Sequence, residues 1–233
     1  MNQSPIEWKT EKTRDGYRVT GRQIEHNGPR VSVSIPYPVI ILVVIGVALF
    51  LWRHAVGKNE PISMICCNES DMYYSLPGGC RKVYFSIAEA SSENTVILDR
   101  YTYEPGKAID GDFESSWQEG DYGDGRNEWI KLSFESPETI RYIVLKLGNW
   151  RENYPGDTIP YARYVENNTP TELVLKINNS DTEYIVSFSS VRENHYIIFD
   201  EPCSIESILF LIKSVEHGTV SNDACISDIS AYG

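Results

Sequence analysis

The chain has 233 residues, 41% of them apolar, with 21 Lys plus Arg against 33 Asp plus Glu, which suits one ordinary domain with something attached. A formal charge of -12 excludes a nucleic-acid surface, because binding a phosphate backbone needs clustered cations. The acidity is one-sided: residues 1–38 carry six cations and four anions, whereas residues 59–233 carry 13 cations and 29 anions.

Residues 1–34 show no sustained apolar period and mix Gly, Pro and both charges, which predicts a cytoplasmic tail with little stable structure. From Ile35 to Trp52 there is no charge, a length of roughly 27 Å as a helix, just enough for a bilayer core. Residues 35–56 therefore read as a single transmembrane helix, an uncleaved anchor. Two other readings stay open. Ala55-Val56-Gly57 has the small-x-small form of a signal cleavage site, and the strict apolar run from Val39 to Trp52 also suits a buried helix. Flanking charge does not set the orientation, since Arg22 and Arg30 stand at one end and Arg53 and Lys58 at the other. All five cysteines, Cys66, Cys67, Cys80, Cys203 and Cys225, follow the span. That placement predicts an oxidising side for the C-terminal part, and so a single-pass cell-membrane protein with its N-terminus in the cytoplasm. Cys203 and Cys225 are candidates for an internal bond. Cys66 or Cys67 could link a dimer.

Residues 57–82, ending in Leu76-Pro77-Gly78-Gly79, read as a stalk. Beyond them, β-branched and aromatic runs alternate with polar turns, the pattern of an all-β sandwich. The expected strands are 84–88, 95–98, 129–134, 140–147, 172–177, 184–188, 196–199, 207–215 and 226–232. Alternation is cleanest in Leu173-Val174-Leu175-Lys176-Ile177. No stretch after residue 60 offers a convincing amphipathic helix of three turns.

Three segments in this region resemble the opening of a discoidin-like domain, also called factor 5/8 type C. They are Lys107-Ala108-Ile109-Asp110-Gly111-Asp112, then Ser115-Ser116-Trp117, then Glu128-Trp129 leading into Ile130-Lys131-Leu132-Ser133-Phe134. The bacterial branch of the NAD glycohydrolase translocation type is the more similar. Its marks are Gly123-Asp124-Gly125, Gly148-Asn149, Tyr164 followed by Asn167-Asn168 and Pro170, and the ending Cys225-Ile226-Ser227-Asp228-Ile229. The resemblance covers residues 84–233. It implies a galactose-binding-like jelly roll, over residues 83–233, whose loops at one end bind ligands.

No catalytic motif appears. His195 and His217, the two histidines of the β region, lie apart without metal-ligand spacing, and no nucleophile elbow, zincin helix or phosphate loop is present. The chain reads as a non-enzyme. Asp110, Asp112 and Ser115 beside Gly111 could converge on calcium, which takes six to eight oxygens. Related carbohydrate-binding domains close such a structural site with an acid from the last strand, a position that Asp228 matches. The bland alternative is a self-capped Asp-Gly turn. The loop from Asn149 to Asn168 is long and broken by prolines, a form that usually carries function. In it Trp150, Tyr154 and Tyr164 offer apolar faces, and Arg151 and Asn168 offer polar contacts, a set suited to a sugar. If those rings prove structural, Glu119, Asp121 and Asp124 are the next place to look. The expected function is a membrane-anchored binding module for a glycan or cell-envelope saccharide. Its rival is a protein-interaction or assembly factor, which would use the same residue types.

Overall fold

The computed structural model describes residues 6–13, 16–23, 31–36, 62–73, 75–96 and 101–233. They fall into two compact units, one ending at Glu60 and one running from Pro61 to Gly233. The first contains three antiparallel strands, β1 (Ile6–Thr13), β2 (Gly16–Gln23) and β3 (Val31–Pro36), in the order β1-β2-β3. These strands lie in the segment expected to be a tail with little stable structure. Thr13 pairs with Gly16 and Val19 with Val33, so short runs read as mixed-charge tail pair through their backbones. β3 ends on Ile35 and Pro36, the first two residues of the expected span. Residues 37–56 of that span lie outside the described residues. Among the described residues no helix is long and apolar enough to cross a membrane.

The second unit is an all-β sandwich. Its strands are β4 (Met64–Asn68), β5 (Lys82–Val83), β6 (Ile87–Ala90), β7 (Trp117–Gln118), β8 (Trp129–Leu147), β9 (Thr169–Ile177), β10 (Tyr184–Ser187), β11 (His195–Glu216) and β12 (Cys225–Tyr232). A short 3-10 helix covers Pro105–Ala108, and one short α-helix, α1 (Ala162–Glu166), precedes β9. The region read as a stalk contains β4, which lies along β11, with Cys67 opposite Tyr196. β8 and β11 are long enough to pass through both layers. Their pairings give one layer in the order β6-β8-β11-β9-β10, and a second in the order β4-β11-β8-β12-β5 with β7 against the start of β12.

The crossing from layer to layer has a local cause. Glu135-Ser136-Pro137 and Asp200-Glu201-Pro202 interrupt the two long strands with exposed polar residues and a proline that cannot donate to the ladder. The β8–β11 register shifts between Ile198 and Cys203 and again between Ile205 and Ser207. Inward positions on β8 accordingly change from Ile130, Leu132 and Phe134 to Ile143, Leu145 and Leu147. Those side chains meet Leu173, Leu175, Phe210, Ile226 and Trp117 in one core. Trp117 is fully buried and its indole Nε1 donates to Ser92 O at 3.0 Å.

All five cysteines are free thiols and no two lie at disulfide distance. The expected Cys203–Cys225 bond is therefore corrected. Cys225 opens β12 opposite Gln118, while Cys203 lies on β11 opposite Ile140. Burial pushes the Cys225 thiol well above its usual range, and the Cys66 thiol up to about 12.

Candidate functional site

Loops at one end of the sandwich enclose a cleft of about 350 Å³. β8 leads into it through Gly148, whose backbone N donates to Cys225 O at 2.8 Å and whose φ is 83°. That conformation favours glycine. Added bulk has no room either, since a Cβ here would stand 2.5 Å from the Tyr164 ring and 2.7 Å from Thr169 Oγ1. The Ser227 hydroxyl donates to Gly148 O (3.0 Å) and accepts from Trp150 N (2.9 Å), fixing the exit from the strand. Asn149 and Arg151, both buried, then line the cleft with the ring of Tyr154.

The loop is folded by its own polar groups. Asn153 donates to Ile159 O (2.6 Å) and accepts from Ala162 N (2.8 Å), which closes it onto α1. Arg163 of α1 binds Asp157 at 3.2 Å and Glu166 at 2.7 Å, with its guanidinium 5.2 Å from the Tyr154 ring centre. Across the cleft stand Asn94 and Asp223, joined at 2.9 Å, together with Val220 and Gln118.

The sequence-expected ligand residues divide. Arg151 and Tyr154 line the cleft, and Tyr154 is 39% exposed. Trp150 does not line it. Its ring is half-buried, with Lys146 4.0 Å and Arg192 4.7 Å from the ring centre, and its Nε1 donates to Leu147 O at 2.8 Å. Tyr164 packs on Gly148, and burial raises its hydroxyl pKa. Asn168 must be corrected, because it is 0% exposed and both ends of its amide are bonded within the protein. The Nδ2 group donates to Asp124 O (3.1 Å) and Asn222 O (2.7 Å), and Oδ1 accepts from Gly218 N (2.8 Å). It staples three loops together and, being buried, is out of a ligand's reach. Of the fallback residues, Glu119 is buried and accepts from Ala224 N and Asp121 N, Asp124 pairs with Arg126 at 2.8 Å, and Asp121 is exposed. Sequence reasoning missed Asn94, Gln118, Asn149, Arg163, Glu166 and Asp223 as lining residues. Asn149, Arg163 and Glu166 lay in a segment already marked.

Residues 79–232 match the family model described as the NAD glycohydrolase translocation F5/8 type C domain. The chain belongs to that family. Among solved structures, this F5/8 type C domain is similar to the CBM32-1 and CBM32-2 domains of Clostridium perfringens ZmpB in complex with GalNAc. Identity there is 15% and the TM-score 0.50, over 74% of this chain and 40% of that one. The family 32 CBM of C. perfringens NanJ in complex with galactose is 16% identical, with a TM-score of 0.43, over 63% of this chain and 93% of that one. The CBM32 of AlyQ in complex with 4,5-unsaturated mannuronic acid is 14% identical, with a TM-score of 0.44, over 65% and 97%. At these identities the likeness is one of fold. No curated protein matches the chain.

The F5/8 type C domain also carries the loop considered for calcium. Among the described residues no three His, Cys, Asp or Glu side chains are grouped to hold a metal ion. A hard cation also takes carbonyl and hydroxyl oxygens, and these do gather. Ser115 Oγ lies 2.9 and 3.0 Å from the Asp110 carboxylate oxygens, 2.9 Å from Asp112 O and 3.4 Å from Lys107 O. The Asp112 carboxylate points elsewhere and accepts from Glu114 N at 3.0 Å, so this residue offers its carbonyl and not its side chain. Asp228 is buried on β12 and accepts from Ser230 Oγ at 2.6 Å. Burial first, and the negative charge of Asp110 in addition, push its pKa up. The donor set fits calcium in kind.

Proposed function

We propose that the chain is a non-catalytic saccharide-binding module that uses the loop-end cleft, held at a membrane by the apolar segment before the sandwich. The observation that carries this reading is the lining of the cleft, where the Tyr154 ring stands among amides, carboxylates and guanidinium groups from five separate segments. A ring face packs on sugar C–H groups while such polar groups exchange hydrogen bonds with hydroxyls. The non-catalytic part rests on the histidines. His195 is buried against Ser189 O (3.1 Å), and His217 is exposed 3.9 Å from Asp124, neither of them in the cleft. Glycan arrays probed with the full chain in detergent test the reading, and binding to none of them would refute it. A protein-docking module is the second reading, favoured by the exposed Tyr73, Tyr84 and Tyr122, which stand outside the cleft.

Orientation follows from access, since a saccharide site belongs on the side where envelope glycans are. The cysteine argument gives no support, because the five thiols are free. Reporter fusions at the two ends check the topology. For the cation loop, Lys107 O, the Asp110 carboxylate, Asp112 O and Ser115 would hold calcium. The ion would offset the repulsion between Asp110 and Asp228, stiffening the loop and taking part in no reaction.

A further inference from the structure

Two guanidinium groups line the cleft, and their surroundings differ. Arg163 is neutralised by Asp157 and Glu166. Arg151 is 4% exposed and has no carboxylate within ion-pair distance among the described residues. Its Nε donates to Glu114 O at 3.0 Å, and its guanidinium carbon lies 3.5 Å from the Tyr101 ring centre and 5.7 Å from that of Tyr103. Stacking on rings stabilises a cation without occupying its donors. Nη2 is buried and has no hydrogen-bond partner.

A desolvated cation without a counter-charge is costly, and so is a buried donor without an acceptor. In a chain of net charge -12 a paired carboxylate was easily available. The acids that line the cleft are engaged elsewhere, Glu166 by Arg163 and Asp223 by the Asn94 amide. Glu114, whose carbonyl takes Nε, turns its carboxylate to Glu152 N at 3.2 Å, and Asn149, which accepts from Arg151 N, is neutral. Among the described residues, none supplies an anion at Nη2.

We propose that the cleft takes an acidic saccharide, whose carboxylate seats on Arg151 while the Tyr154 ring and the cleft amides hold the sugar. This rests on the saccharide reading above and narrows it to one class. A neutral hydroxyl could accept one hydrogen bond from Nη2 but would leave the buried charge uncompensated.

The test titrates the full chain in detergent with matched pairs: galacturonate and galactose, glucuronate and glucose, mannuronate and mannose, and N-acetylneuraminate and its methyl ester. One acidic member should bind about 10- to 100-fold more tightly than its neutral partner, the range for a hydrogen bond to a charged group. Arg151→Gln should bring the two to equal, weak affinity. Because Arg151 also holds Glu114 O, that variant is paired with Arg151→Lys and with melting curves; the acid–neutral comparison on the unaltered chain does not depend on either variant folding. Equal binding of acid and neutral forms would overturn the proposal and leave the saccharide reading standing. Failure of every pair in both forms would remove the saccharide reading, and this inference with it.

Discussion

Trp150→Ala and Tyr154→Ala separate structural rings from ligand-facing ones within a single loop. The Trp150 ring is half-buried between Lys146 and Arg192, so it hides about 100 Å² of apolar surface, worth about 2.5 kcal/mol. Each cation on its face adds about 0.5 kcal/mol, and losing the Nε1 donor to Leu147 O costs about 1 kcal/mol. Partial collapse of the site recovers some of that total. The expected loss in stability for Trp150→Ala is therefore about 3 to 4 kcal/mol, read as a lower urea midpoint at unchanged slope. Tyr154 is 39% exposed, and its truncation should cost less than about 1 kcal/mol in stability. It should weaken saccharide binding by about 1 to 3 kcal/mol. Both variants are measured by urea unfolding and by titration calorimetry. If Trp150→Ala kept its midpoint and lost affinity, the assignment of this ring to the structure of the loop would be refuted.

Calcium should raise the melting temperature of the chain relative to chelator, since an ion bound only by the folded state stabilises it by mass action. Asp110→Asn should abolish the difference, and coincident curves for the parent chain would remove the site. Burial holds His195 below the usual histidine range, so the unfolded chain binds a proton that the folded chain resists. The stability from His195 is fully present above about pH 6.5. It is lost as pH falls through the lower folded pKa. His195→Gln should flatten that part of the stability–pH curve, and an unchanged slope would count against it. Mass mapping without reductant should find five free thiols, with Cys66 and Cys225 resisting alkylation until the chain unfolds. Any Cys203–Cys225 bond would contradict the fold as described.

Periodicity alone made much of the sandwich legible. The alternation of Leu173, Leu175 and Ile177, and of Ile130, Leu132 and Phe134, aimed these side chains into a common core, where they lie. The family-bearing segment around Trp117 and Trp129 pointed to the architecture. β8 and β11 each read as two strands because Pro137 and Pro202 have the local chemistry of a break; the backbone instead bends there and changes layer. β4 stayed hidden in the presumed stalk, since Met64–Asn68 becomes a strand by lying along β11, far away in the chain. The same limit applies to the site. Composition marked the loop from Asn149 to Asn168 but could not separate Trp150 from Tyr154, or Arg151 from Asn168. Local sequence determines which side chains a loop carries. Which of them keep a free donor is decided by neighbours such as Glu114 O for Arg151, or Asp124 O and Asn222 O for Asn168. Those neighbours come from other loops and meet only when the two layers close on their core.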